Sequence, residues 1–213
     1  MRLPVTLLCA LLALTGALPW AFADTNVRSE APPPDSRANG RYLLMDVNGR
    51  AVTNADFPGQ FQLISFGYTY CPDICPTTLA EQTAIMQRLG SRAERIQPIF
   101  ITVDPERDTP EKLRSYAAYF DPRLIALTGS PALIQSAARN FGVRYKKVLD
   151  PNAPADRYPV DHSAGMYLLA PDGGCIGKLG YGTGIDTIAE RIEALLSAHP
   201  HTPSRSLPAS TTP

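Results

Sequence analysis

The amino-acid sequence predicts an α/β fold with a mixed central β-sheet flanked by helices. Three observations carry this expectation. Between residues 61 and 141, short apolar runs of strand length alternate with amphipathic stretches of about 10–15 residues, the pattern of parallel strands joined by crossover helices. Near the C-terminus, Asp172-Gly173-Gly174 separates two further apolar runs, which reads as a hairpin and adds antiparallel strands. A last amphipathic segment, Ile185–Ala198, closes the domain.

The elements follow in chain order. Residues 42–47 alternate weakly and end at Asn48-Gly49, a turn signal, before a short run at Ala51-Val52. Residues 61–66 (FQLISF) read as a strand between Pro58-Gly59 and Gly67. Residues 77–89 are helical: Leu79, Ile85, Met86 and Leu89 share a face, and Gly90 is a stop signal. Residues 96–103 (IQPIFITV) form a buried strand. Residues 110–120 are a helix with Pro110 in its first turn and Thr109 as its cap. A short strand at 124–127, a helix at 131–141 stopped by Gly142, and a strand-like stretch at 143–148 come next. Residues 165–169 and 175–179 are the hairpin strands around the Asp172 turn. A strand, then Cys-x-x-x-Cys opening a helix, then a hairpin and a terminal helix is the thioredoxin arrangement, so the fold expected is thioredoxin-like.

The ends of the chain are of another kind. Arg2 precedes an apolar run over 5–18, and Ala21-Phe22-Ala23 offers a small-x-small cleavage site, so residues 1–23 read as a signal peptide. Left uncleaved, the segment would serve as a membrane anchor, since about 17–25 apolar residues suffice to span. With cleavage, no stable membrane insertion is expected, and the chain is periplasmic or otherwise exported. Residues 24–39, with Pro32-Pro33-Pro34, read as a flexible linker, residues 40–198 as the thioredoxin-like domain, and residues 199–213 as a disordered tail in which His199 and His201 are incidental. The 213 residues include 20 basic and 20 acidic side chains. A neutral chain has no global charge to draw it to nucleic acid, so no such partner is expected. Hydrophobic residues at 44% exclude a mainly disordered chain, and four cysteines exclude a disulfide-dense scaffold.

Chemistry concentrates in 66–76 (FGYTYCPDICP). With Cys71 at the turn and Cys75 in the first helical turn, both sulfurs face one side. The positive end of the helix favours thiolate. Such a pair can close to a Cys71–Cys75 disulfide in its oxidised form or bind a soft metal, Cu(I) above all. A purely structural bridge gains little by closing so short a loop. Redox thioredoxins place two residues between their cysteines; three here widen the pair and suit a chelate. Outside the tail, His162 is the one histidine left after the signal, and it directly precedes the hairpin at a position that approaches the cysteine loop in this fold. Two sulfurs and one imidazole accommodate both Cu(I) and Cu(II). Zinc fits the same donors chemically, though nothing demands it. A peroxiredoxin-like peroxidase would need Pro-x-x-x-Thr-x-x-Cys, but Thr69 stands only two before Cys71 and residue 64 is Ile64.

Three blocks, 66–76, 103–110 (VDPERDTP) and 160–169 (VDHSAGMYLL), give the chain its resemblance to the Sco/SenC proteins, thioredoxin-fold copper chaperones of cytochrome oxidase assembly. The resemblance spans 40–198. It implies copper, one ion per monomer, held by Cys71, Cys75 and His162. It also implies delivery to the CuA site of cytochrome c oxidase subunit II, or to another copper acceptor, or prior reduction of that site's cysteines. The alternatives are a thiol–disulfide oxidoreductase, with Cys71 attacking and Cys75 resolving and hence an enzyme, or a copper or redox sensor. Asp104 and Asp161 are candidates to orient His162 from behind; an ion pair of Arg107 within its loop is the plainer reading of that block. Cys175 matches no ligand position of the family and reads as a small buried hydrophobe; the alternative is an exposed thiol able to pair between molecules.

Overall fold

The computed structural model describes residues 39–154 and 156–199; the expected signal peptide, nearly all of the linker and the tail beyond His199 lie outside them. The strands are β1 (Leu43–Asp46), β2 (Ala51–Thr53), β3 (Phe61–Gly67), β4 (Ile96–Thr102), β5 (Ile125–Thr128), β6 (Tyr145–Lys147), β7 (Val160–His162), β8 (Met166–Leu169) and β9 (Cys175–Leu179). The helices are α1 (Ile74–Leu89), α2 (Pro110–Ala117), α3 (Pro131–Phe141) and α4 (Ile185–Ala198).

Seven strands make one sheet in the order β2-β1-β5-β4-β3-β8-β9, and β6 pairs with β7 in a separate two-stranded ribbon. β3, β4 and β5 run parallel; β1 is antiparallel to β5, and β8 and β9 are antiparallel additions beside β3. The sheet is therefore mixed, as expected. Every residue of β3 is buried, the signature of a strand covered on both faces. Its alternate side chains go opposite ways. Phe61 and Leu63 pack with Ile85, Met86 and Leu89 of α1 and Ile188 and Ile192 of α4. Ile64 and Phe66 pack with Ile134, Ala138 and Phe141 of α3. Each fully buried Leu, Ile or Phe of these layers contributes about 1.5–3 kcal/mol by leaving water.

Local chemistry sets the helix ends. Thr109 and Ser130 accept hydrogen bonds from Lys112 N–H and Leu133 N–H, capping α2 and α3 behind their first-turn prolines. Gly142 ends α3 in the left-handed conformation, with φ 66°, where only glycine is unstrained. Most strands differ from their expected bounds by a residue or two, and three elements depart further or were not expected. α1 begins at Ile74 rather than Thr77, because Pro76 occupies a first-turn position that needs no N–H donor. α2 stops at Ala117 instead of running to residue 120, and Tyr119 stands in solvent. β7 was not foreseen; three residues give no periodic signal, and only its pairing with β6 defines it. His199 caps α4, its N–H donating to Leu195 C=O, and so belongs with the domain rather than with the tail.

The topology prepares a site. β3 and β4 pair in register from Phe61↔Ile96 to Gly67↔Thr102, so their C-terminal ends lie side by side. The cysteine loop leaves one end and the 103–109 loop the other, and Val103 N–H donates to Gly67 C=O at 2.8 Å where they part. Functional loops of open α/β sheets collect at this edge. Among the described residues, no helix is long and apolar enough to cross a membrane.

Candidate metal centre

Cys71 sits in the turn after β3, where its N–H donates to Tyr68 C=O at 3.3 Å. Cys75 occupies the first turn of α1 and is buried, 2% exposed. His162 ends β7 and reaches in from the ribbon. The Sγ atoms of Cys71 and Cys75 and one ring nitrogen of His162 all lie within 4.8 Å of one another. Cys75 Sγ and His162 Nε2 are 3.1 Å apart. The structure thus brings together all three residues expected from the sequence, with the two cysteines not joined as a disulfide in it.

The two thiols differ. Burial opposes ionisation of Cys71, but the N–H groups of Asp73, Cys75 and Ile74 at the helix start outweigh it and bring its thiol below the ordinary value. Cys75 N–H makes one of these contacts, 3.4 Å from Cys71 Sγ. Burial pushes the Cys75 thiol well up, and the neighbouring Cys71 adds to that rise. Burial also lowers the His162 imidazole, against the opposing pull of the Ser163 carbonyl and the Asp161 charge. The ring is therefore neutral near pH 7. The Ser163 carbonyl oxygen lies 3.1 Å from Nδ1 and can only accept, so Nδ1 carries the proton. Nε2 keeps its lone pair and turns it toward the sulfurs, the tautomer a ligand needs.

Neither proposed carboxylate performs that orienting role. Asp104 is fully buried and committed to Arg107 and to the Tyr158 hydroxyl, which donates to it at 3.0 Å. Asp161 acts on His162 only through space, because strand alternation turns its side chain to the opposite face of the ribbon. The Ser163 backbone does the work instead, and Ser163 is itself pinned by its N–H to Arg144 C=O at 2.9 Å. A backbone acceptor has no residue-type signal, so the sequence offered none.

Gly67 was also missed. A Cβ there would fall 2.9 Å from Cys75 Sγ. A glycine that ends a strand just before a cysteine motif is the available signal for such a close approach. His162 forms one wall of an open dish of about 350 Å³ shared with Arg144, Tyr145, Lys146, Asp161 and Ser163, which leaves the imidazole side accessible. Cys175 is partly buried against the core, with its sulfur 3.8 Å from Gly177 C=O and away from this centre.

A mixed sheet clad by helices, a Cys-x-x-x-Cys turn at a helix start and a histidine brought to it define a thioredoxin-like α/β protein with a three-donor soft-metal centre. The SCO1/SenC family model matches residues 30–197, and the chain belongs to that family. The mitochondrial protein SCO2 homolog of Mus musculus is 38% identical over 173 residues, 80% of this chain and 67% of the mouse protein. The crystal structure of Arabidopsis thaliana ScoI with copper bound superposes with a TM-score of 0.70 at 34% identity, covering 76% of this chain and 99% of that one. The structure of Bradyrhizobium japonicum ScoI with copper bound gives 0.64 at 38% identity, covering 72% and 96%. The chain spans between 55% and 67% of the length of the mouse, cattle and human relatives it matches.

Proposed function

We propose that the chain is an exported copper-binding metallochaperone that takes one copper ion per monomer, as Cu(I) or Cu(II), on Cys71, Cys75 and His162. It delivers that ion to the CuA site of cytochrome c oxidase subunit II or to another copper acceptor protein. The convergence of two sulfurs and one Nε2 within 4.8 Å carries the reading. Two thiols and a neutral imidazole are soft to borderline donors, and three of them leave room for an incoming fourth ligand from a partner. Family membership and related structures with copper bound support the metal. The apolar N-terminal run with its Ala-Phe-Ala site supports export to the periplasm or an equivalent compartment.

The unlike thiols support a second role on the same residues. A Cys71 thiolate attacks one sulfur of an acceptor disulfide, breaking that bond, forming a mixed disulfide and expelling the other acceptor sulfur as a thiolate that takes up a proton. Cys75 then loses its proton and attacks Cys71 Sγ, releasing the acceptor as a dithiol and leaving Cys71–Cys75 oxidised. Two electrons pass to the acceptor. The Cys71–Cys75 disulfide so formed holds no copper until an external dithiol reduces it, so reduction of the acceptor's cysteines and delivery of copper to them are separate rounds of the protein.

Titration of the reduced, signal-free protein with Cu(I) and Cu(II) tests the reading. The expected result is one copper per monomer, a visible sulfur-to-Cu(II) charge-transfer band, and weakened binding in Cys71→Ala, Cys75→Ala and His162→Ala. Unchanged affinity in all three variants overturns it. A His162→Ala variant that loses copper but keeps full biological activity selects thiol chemistry over delivery.

A further inference from the structure

The 103–110 block supplies no donor to the metal centre, yet it grips both sides of it. Asp108 is 1% exposed. Its carboxylate accepts from Thr69 Oγ1 at 2.6 Å, from Thr69 N–H at 3.1 Å and from Thr102 Oγ1. The Thr102 hydroxyl accepts in turn from Asp104 N–H at 2.9 Å. Thr69 lies two residues before Cys71, inside the turn that presents its sulfur. Two of the three donors that hold this buried carboxylate therefore belong to the cysteine turn. The β3–β4 register is already secured by its own ladder and needs no such group.

The same loop reaches the histidine side. Arg107 pairs with Asp104, donates through Nη1 to Asp156 C=O at 3.1 Å, and stacks 3.6 Å from the centre of the Tyr158 ring. Tyr158 stands just ahead of β7, which ends in His162. Glu106 pairs with Lys147 of β6 at 2.6 Å. Neighbouring residues of one short loop thus hold the two segments that must meet around a metal, although those segments are far apart in sequence.

We propose that the loop from Asp104 to Asp108 is a positioning clamp for the metal centre, and that Asp108 is the residue that fixes the cysteine turn against His162. The clamp rests on the copper reading above for its purpose, though not for its geometry. Asp108 touches no ligand atom; it acts through Thr69.

The test uses the signal-free chain with Asp108→Ala, Asp108→Asn and Thr69→Val. Circular dichroism of the apo proteins reports folding. Two further readouts follow: Cu(I) affinity by chelator competition, and the ratio of Cys71 to Cys75 labelling by iodoacetamide, resolved by mass spectrometry. Asp108→Ala is expected to weaken Cu(I) about 10- to 100-fold, as loss of an outer support to a metal site does. Its labelling ratio of Cys71 to Cys75 falls severalfold, because a cysteine turn no longer held by Asp108 opens the buried Cys75 to the reagent. Asp108→Asn, whose amide oxygen still accepts from Thr69, recovers most of both. A folded Asp108→Ala with wild-type affinity and labelling ratio overturns the clamp. Should Asp108→Ala fail to fold, Thr69→Val is read by the same two measures; wild-type values there overturn it equally. Wild-type protein that takes up no copper refutes the metallochaperone, while the labelling ratio still decides the clamp.

Discussion

Gly67→Ala is the sharpest probe of how tightly the centre is packed. The added Cβ would lie 2.9 Å from Cys75 Sγ, 2.9 Å from a ring carbon of Phe100 and 3.2 Å from Cys75 Cβ. Nonbonded carbon contacts settle near 3.5–4.0 Å, so a neighbour must retreat by about 0.6–1 Å. Phe100 is 1% exposed and wedged between Leu79 and Leu113, so it has nowhere to swing. Cys75 gives way instead, and with it the first turn of α1. Overpacking of this size costs about 1–3 kcal/mol. At about 2–4 °C per kcal/mol for a domain of this length, the melting temperature should fall by several degrees. The moved sulfur should weaken Cu(I) binding as well, since a shift of about 0.6–1 Å disturbs its present 3.1 Å approach to His162 Nε2. Thermal melts and chelator competition on Gly67→Ala read both effects. Gly180→Ala, whose Cβ would meet only Thr183 Oγ1 at 3.4 Å, is the control. A Gly67→Ala protein that melts and binds copper like wild type would show that the Cys75 pocket has slack, and the packing account would fail.

Two further predictions concern the scaffold. In the β1–β2 turn, burial of Asp46 is outweighed by bonds from the Arg50 and Asn48 N–H groups and by the Arg50 side chain, which hold its carboxyl below the usual carboxylate range. A depressed native value means stability present above the unfolded value of about 4 and lost as pH falls through the native one; urea melts should show wild type exceeding Asp46→Asn at pH 7 and converging with it near pH 2. Ser130→Ala removes the cap on α3 and leaves the Leu133 N–H without that acceptor, so it should cost about 1 kcal/mol in the same melts, and a loss near zero would mean the helix start is held by Pro131 alone.

Much of the fold was legible because local and global signals agree. α3 matched its expected bounds because Pro131 and Gly142 mark its ends chemically, and β9 and α4 matched theirs. The donor triad was legible for the same reason: cysteines four apart at a helix start and a histidine before a hairpin are side-chain signals at fixed positions. What escaped depended on contacts across the chain. β7 exists only because β6 pairs with it. Asp104 and Asp161 looked equally able to support His162, yet Arg107 and Tyr158 claim the first and strand alternation turns the second away. Asp108 has no sequence signal of its own, because its place depends on the Thr69 and Thr102 hydroxyls that donate to it across the chain.

The ribbon formed by β6 and β7 shares no ladder with the seven-stranded sheet. The cysteines are anchored to that sheet through β3 and α1, whereas the imidazole rides on a piece only three residues long. Swinging the ribbon outward would break side-chain contacts and a few local bonds but no hydrogen bond of the main sheet. Loop motions of that kind run from nanoseconds to microseconds, while global unfolding of a small domain takes far longer. What holds the histidine in place is thus side-chain contact, Glu106 with Lys147 and Arg107 with Tyr158, so the imidazole could be withdrawn at the cost of those contacts while the cysteines stay fixed to the sheet.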